Sequence, residues 1–195
     1  GVYGSGSPTG VTVYENGALG DAWNGTLLNC EPSRNTIFAY KLQPRKGSFV
    51  LNEATRKDFI TSNPTREFEG TDFHRIKTPG KSGEHIWFRP ADVAVGPDGA
   101  VYVADWYDTR VGGQQMLDDT CTGAIYRIAP KGFKSVIPKL DLTTPAGAIA
   151  ALRNPAVNVR HLGFNAAKGF GAQALPAALE LAKDANPFVA ARAVW

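Results

Sequence analysis

Few side chains in this sequence are of the types that do chemistry, and most of them cluster in two stretches. His74 and His85 lie in a polar segment. An imidazole titrating near neutrality can act as general base on a substrate hydroxyl, and Asp72 and Glu84 stand beside the two histidines in the chain. Asp105, Asp108, Asp118 and Asp119 flank the turn Val111-Gly112-Gly113. Carboxylates with loop carbonyls are what a hard cation such as calcium takes, although the spacing is not that of an EF-hand loop. Aspartates in such places are more often turn formers or helix caps. Arg66, Glu67 and Asp72 alternate with Phe68 and Phe73, the pattern of a loop pinned by aromatics that shows its charges to a polar substrate or pairs them internally. Trp106-Tyr107 offers either a stacking platform for a sugar or packing surface, and Arg110 follows in the same stretch as a further substrate contact. Arg89 precedes Pro90, which fixes an extended backbone. Its guanidinium is placed to hold an anionic cofactor or substrate, or to brace a neighbouring sheet.

Something must position these groups, and two internal repeats say what. Pro8-Thr9-Gly10-Val11-Thr12-Val13-Tyr14-Glu15-Asn16-Gly17 recurs 82 residues later as Pro90-Ala91-Asp92-Val93-Ala94-Val95-Gly96-Pro97-Asp98-Gly99. Each copy predicts a short strand through two valines and a tight hairpin turn at Asn16-Gly17 or Asp98-Gly99. A second strand follows, Thr26–Cys30 or Val101–Ala104, then a third, Thr36–Leu42 or Ala124–Ile128. Repeated three- or four-stranded antiparallel units have the form of β-propeller blades. A second repeat, Asn154-Pro155-Ala156-Val157-Asn158-Val159-Arg160, returns 32 residues on as Asn186-Pro187-Phe188-Val189-Ala190-Ala191-Arg192. Asn before Pro opens a helix, and helical units at this period form HEAT-like solenoids.

The expected fold is therefore mainly β with a C-terminal α part: about two propeller blades over 1–137, a linker over 138–147 and the start of a HEAT-like solenoid over 148–195. Residues 58–87 are expected to be irregular, and 106–122 to be an excursion between two strands. Two blades close no ring and the helical units are too few to stand alone, so the chain is expected to be an internal segment of a larger protein. Its 195 residues, 43% hydrophobic, suffice for a core. A net charge of +3 with scattered basic residues argues against a nucleic-acid partner, and no apolar run approaches the roughly 20 residues that span a bilayer.

From Trp87 to Pro130 the sequence resembles the propeller of the membrane-bound dehydrogenases of planctomycetes and verrucomicrobia, which are similar to quinoprotein glucose and sorbosone dehydrogenases. Ser7–Gly10, Asn29–Asn35 and Thr61–Phe73 are similar to that family as well, and the Asn-Pro repeat falls where its HEAT region stands. The resemblance implies an exported protein, periplasmic or extracellular, that oxidises a sugar or alcohol with a pyrroloquinoline quinone (PQQ) and calcium. It implies that electrons pass to a cytochrome c domain or another redox partner. No CxxCH motif is present, so haem c would belong outside this chain. By the resemblance Arg89, with Arg66, would hold the quinone, but Ala91 stands where the family's strand carries a second arginine. An exported location would also let Cys30 and Cys121 form a disulfide, the alternative being two buried thiols. A propeller-and-solenoid scaffold binding carbohydrate or protein, without chemistry, is the competing reading.

Overall fold

The computed structural model describes residues 8–63, 87–107 and 122–195. The chain folds into two antiparallel sheets followed by a helical region. The first sheet begins with β1 (Val11–Tyr14), β2 (Thr26–Glu31) and β3 (Thr36–Arg45), and adds β4 (Ser48–Leu51) and β5 (Lys57–Thr61). Strand order is β1-β2-β3-β4, with β5 also on β3. Its centre is the β2–β3 pair, in register Leu28↔Ala39 and Cys30↔Ile37. Leu28, Cys30 and Ile37 are fully buried there, and removing a side chain such as Leu28 or Ile37 from water contributes about 2 kcal/mol.

β3 is long because it serves three partners. Its first half lies against β2 and β5, while Leu42–Arg45 pairs with β4. Pro44 is tolerated opposite Phe49 in that exposed half, where a missing N–H is cheap. β5 overturns part of the expectation that 58–87 is irregular. Lys57-Asp58-Phe59-Ile60-Thr61 has too little apolar alternation to read as a strand alone, and the open edge of β3 supplies its hydrogen bonds.

The second sheet has order β6 (Pro90–Val95), β7 (Val101–Asp105), β8 (Ala124–Ile128). Its first turn is tight as expected: Gly96 N–H donates to Ala100 O at 2.8 Å and the Asp98 carboxylate accepts from Ala100 N–H at 3.0 Å. The matching turn after β1 is not tight. The chain passes through a 3-10 turn at Asp21–Trp23, and the ladder resumes only where Gly25 N–H donates to Tyr14 O. The cause is Tyr14, a fully buried ring whose hydroxyl accepts from Leu19 N–H at 2.8 Å, so that the loop wraps around it.

The helical region comprises α1 (Pro145–Ala151), α2 (Val157–Phe170), a 3-10 turn (Gly171–Ala174), α3 (Leu175–Leu181) and α4 (Pro187–Ala191). α1 starts inside the stretch read as linker, capped by the Thr144 hydroxyl on Gly147 N–H at 3.1 Å. Gly171, at φ +56, ends α2. Ile149, Leu152, Ala174, Leu181 and Val189 form its largest buried cluster. α1 and α2 approach closely because Gly163 lies under Ala148 O and Ala151, where a Cβ would have 2.7 Å of room.

Contacts divide the chain into two compact units. One is Gly1–Val13, Thr26–Ala94 and Tyr102–Arg127; the other is Tyr14–Gly25, Val95–Val101 and Ile128–Trp195. The turns that follow β1 and β6 thus belong with the helices. Among the described residues no helix is long and apolar enough to cross a membrane.

Candidate functional site

One corner of the first unit gathers most of its buried polar groups. Between β2 and β3 the chain makes a 3-10 turn, Pro32–Arg34, entered with Glu31 accepting from Ser33 N–H and left through Asn35 in the left-handed conformation, φ 56. Asn35 ties three segments together. Its side-chain N–H donates to Phe88 O at 3.1 Å, and its carbonyl accepts from Ser62 N–H and from the Thr61 hydroxyl. Arg89 enters the same corner at 1% exposure, its Nη1 donating to Pro32 O at 2.9 Å. Asp105, 4% exposed, accepts through Oδ1 from Arg89 N–H at 2.7 Å and from Tyr107 N–H at 2.8 Å. Its Oδ2 is buried with no hydrogen-bond partner among the described residues. The phenol of Tyr126 is pushed up by burial first and then by the charge of Asp105.

Aromatic rings surround this corner. Trp87 meets Tyr107 edge-on at 5.6 Å, and Phe88 meets Tyr126 at 6.0 Å. Tyr107 has φ 51, a conformation that is costly for a bulky residue and that clusters at functional positions. Trp106 is 67% exposed, with its backbone N–H on Arg89 O.

Arg34 and Thr36, either side of Asn35, open onto a polar cleft of about 170 Å³, with Glu53, Arg56, Asp58, Thr61 and Asn63 and the ring of Phe38. The Arg56 guanidinium lies 4.7 Å from the Phe38 ring centre and 3.4 Å from Glu53. Carboxylates and guanidinium groups beside an aromatic face can bind a small polyhydroxylated molecule.

The residues expected from the sequence are divided by this structure. Arg89, Asp105, Trp106 and Cys30 are described; His74, His85, Arg66, Asp72, Asp108, Arg110, Asp118, Asp119 and Cys121 lie outside the described residues. Arg89 and Asp105 come together, but through backbone groups that they brace. Trp106 presents its indole to solvent. Among the described residues no three His, Cys, Asp or Glu side chains group as metal ligands would. The sequence reading missed Asn35, Glu53, Arg56 and Asp58. Asn35 had a signal, the Asn-turn chemistry of Pro32-Ser33-Arg34-Asn35, whereas the other three meet only because β5 returns along β3.

Cys30 is a buried thiol in the middle of β2. Burial, and secondarily the charge of Asp92, pushes its pKa up to about 12. The unfolded thiol ionises near pH 8.5, so above that value the unfolded chain releases a proton that the folded chain keeps. This contribution to stability is therefore complete below about pH 8.5 and falls as pH rises from there towards 12. Urea midpoints measured from neutral to about pH 10 should fall, and Cys30→Ala should flatten that slope. An unchanged slope in the variant would remove Cys30 as the cause.

The sequence profile of a domain of unknown function, DUF7133, matches residues 3–132, which take in β1 to β8. No curated protein and no solved structure matches the chain.

Proposed function

The chain belongs to the DUF7133 family, and within it we propose a polar-substrate-recognising β part of an exported quinoprotein-like sugar or alcohol dehydrogenase. The observation that carries this reading is the cleft of Arg34, Glu53, Arg56 and Asp58, a volume of about 170 Å³ with both charges and an aromatic face at one corner. A monosaccharide or sugar alcohol fits that chemistry, its hydroxyls donating to the carboxylates and accepting from the guanidinium groups. The resemblance of Trp87–Pro130 to the dehydrogenase propellers supplies the reaction class and the exported location.

A propeller arrangement of the sheets is part of the proposal. In the first unit Gly10 N–H donates to Ala91 O at 2.9 Å and the Thr9 hydroxyl to Pro90 O at 3.0 Å, so the equivalent first strands of the two repeats adjoin at their starts. The helices are read as HEAT-like repeats on the same footing.

The quinone is less well served. Arg89 presents no guanidinium fork outward, since it is buried with Nη1 on Pro32 O, and Ala91 replaces the second arginine. Asp105 accepts two backbone N–H groups through Oδ1, which leaves Oδ2, buried, as its one uncommitted oxygen among the described residues. Of the residues read as cofactor contacts, Arg89 is thus committed to this chain's own backbone, while Arg66, Asp108 and Asp118 lie outside the described residues. In the dehydrogenase reading His74 or His85 takes the hydroxyl proton, with Arg66, Asp72 and Arg110 as substrate or cofactor contacts and the Asp105, Asp108 and Asp118 carboxylates as candidates for a cation. The burial of Arg89 favours a second reading, a carbohydrate-binding scaffold without redox chemistry.

Titration of the full chain with D-glucose, D-galactose and sorbitol, followed by calorimetry, tests recognition. Glu53→Gln with Asp58→Asn should weaken any binding by about tenfold or more, as loss of charged acceptors does. Dye-linked oxidation of the same sugars, with and without PQQ and calcium, separates the readings. Binding with dye reduction supports the dehydrogenase, binding without it the scaffold, and no binding overturns both.

A further inference from the structure

The two sequence repeats meet each other atom for atom in the second unit. Glu15 and Pro97 occupy the same position in the hairpin repeat, 82 residues apart, and Asn154 and Asn186 the same position in the helical repeat, 32 residues apart. Asn154 donates from Nδ2 to Pro97 O at 3.2 Å, and Asn186 donates from Nδ2 to Glu15 O at 3.0 Å. Equivalent donors thus find equivalent acceptors, one asparagine to one turn.

The other end of each amide is used equivalently too. Oδ1 of Asn154 accepts from Ala156 N–H and Oδ1 of Asn186 from Phe188 N–H, both at 2.9 Å. At Asn186 that bond caps α4; at Asn154 it forms the Asx turn leading to α2, which begins at Val157 with no side-chain cap. Because Oδ1 must face the N–H, the amide orientation is fixed and Nδ2 is left to face the turn.

The repeat's arginines converge as well. Arg160 and Arg192, again equivalent, both reach Glu15 Oε2, at 3.2 and 2.5 Å. Arg192 further donates to Asn16 Oδ1 and to Leu152 O, while Asn16 Nδ2 donates to Arg153 O at 2.9 Å. The spacing of the acceptors is set by the turns themselves, which touch through Ala18 N–H on Gly99 O at 2.8 Å.

We propose that Asn-Pro-x-Val-x-x-Arg is a docking motif whose asparagine, in each helical repeat, binds one hairpin turn, while the arginines of both repeats converge on the turn at Glu15. The side-chain N–H of Asn reads the turn carbonyl, and Glu15 is the carboxylate shared by both arginines. The motif's partner is a β-turn of this chain presenting an outward carbonyl, and the assignment does not depend on the sugar reading.

Asn→Asp separates docking from capping. Aspartate keeps the acceptor for Ala156 or Phe188 and removes the donor to the turn. Hydrogen exchange on the full chain should show Asn154→Asp loosening amides at 96–100 most, and Asn186→Asp those at 15–20 most. Each should exchange roughly three- to tenfold faster, as the loss of one hydrogen bond implies, with β3 unaltered. Glu15→Gln should make the helical amides exchange faster at low salt and erase their salt dependence. Asp variants that exchange like the parent, while the Asn→Ala pair alone loosens, would assign the residues to capping and overturn the proposal. Equal loosening of both turns by each single variant would overturn it too.

Discussion

Replacing Arg89 with methionine is expected to cost the β part about 3 kcal/mol of stability, a loss in the range seen when one partner of a buried charged interaction is removed. Arg89 is the largest fully buried side chain among the described residues, and its guanidinium donates to Pro32 O inside the corner where β2 turns into β3. Methionine retains the apolar stem and much of the volume, so the expected cost comes from polar groups left buried without a donor rather than from a cavity. The urea midpoint should fall with the slope unchanged. A loss below about 1 kcal/mol would mean that Arg89 does not brace this turn and would return it to the pool of cofactor contacts. Asp105 provides the contrast. Asp105→Asn keeps an acceptor for Arg89 N–H and Tyr107 N–H and should cost little, whereas Asp105→Ala orphans both. If Asp105→Asn were as damaging as Asp105→Ala, the charge, and not the acceptor, would be what the corner requires.

The pattern of what the sequence revealed follows from the range of the interactions. The strands of both repeats were readable because valines alternating across a turn are a local signal, and the structure places β1, β2, β3 and β6 to β8 close to where that alternation predicts. The tight turn at Asp98-Gly99 was readable for the same reason. The turn after Tyr14 was not, because a buried tyrosine hydroxyl, not the Asn16-Gly17 pair, decides how far the loop must travel. β4 and β5 have weak patterns of their own and exist because β3 offers them an edge. Arg89 and Asp105 were legible as unusual residues but not as partners of backbone groups, since a sequence carries no sign of which carbonyl a guanidinium will find. Glu15 was invisible as a functional residue. Its two arginines lie far along the chain in a different repeat, and only the return of the helices to the turn brings the three together.

Gly99→Ala should cost between about 2 and 4 kcal/mol, more than its φ alone explains. Gly99 has φ +85, and a Cβ built there stands 2.9 Å from Ala18 N and 3.2 Å from the Gly17 Cα, both backbone atoms that no rotamer change can move. Gly17 and Gly99 are the same position in the hairpin repeat, so the contact of the two turns is made by the one residue type small enough for it in both copies. Gly132→Ala isolates the conformational part of the effect. Gly132 has φ +80 but nothing within 4 Å of its would-be Cβ, and its cost should stay near 1 kcal/mol. The difference between the two substitutions in urea unfolding therefore measures the turn-to-turn contact itself. Separation of the turns would also move Glu15 O and Pro97 O apart from the spacing that Asn186 and Asn154 match, so Gly99→Ala should loosen the helical amides without touching a helix. Equal costs at Gly99 and Gly132 would mean that the turns tolerate being pushed apart, and that the helical repeats hold them by something other than this register.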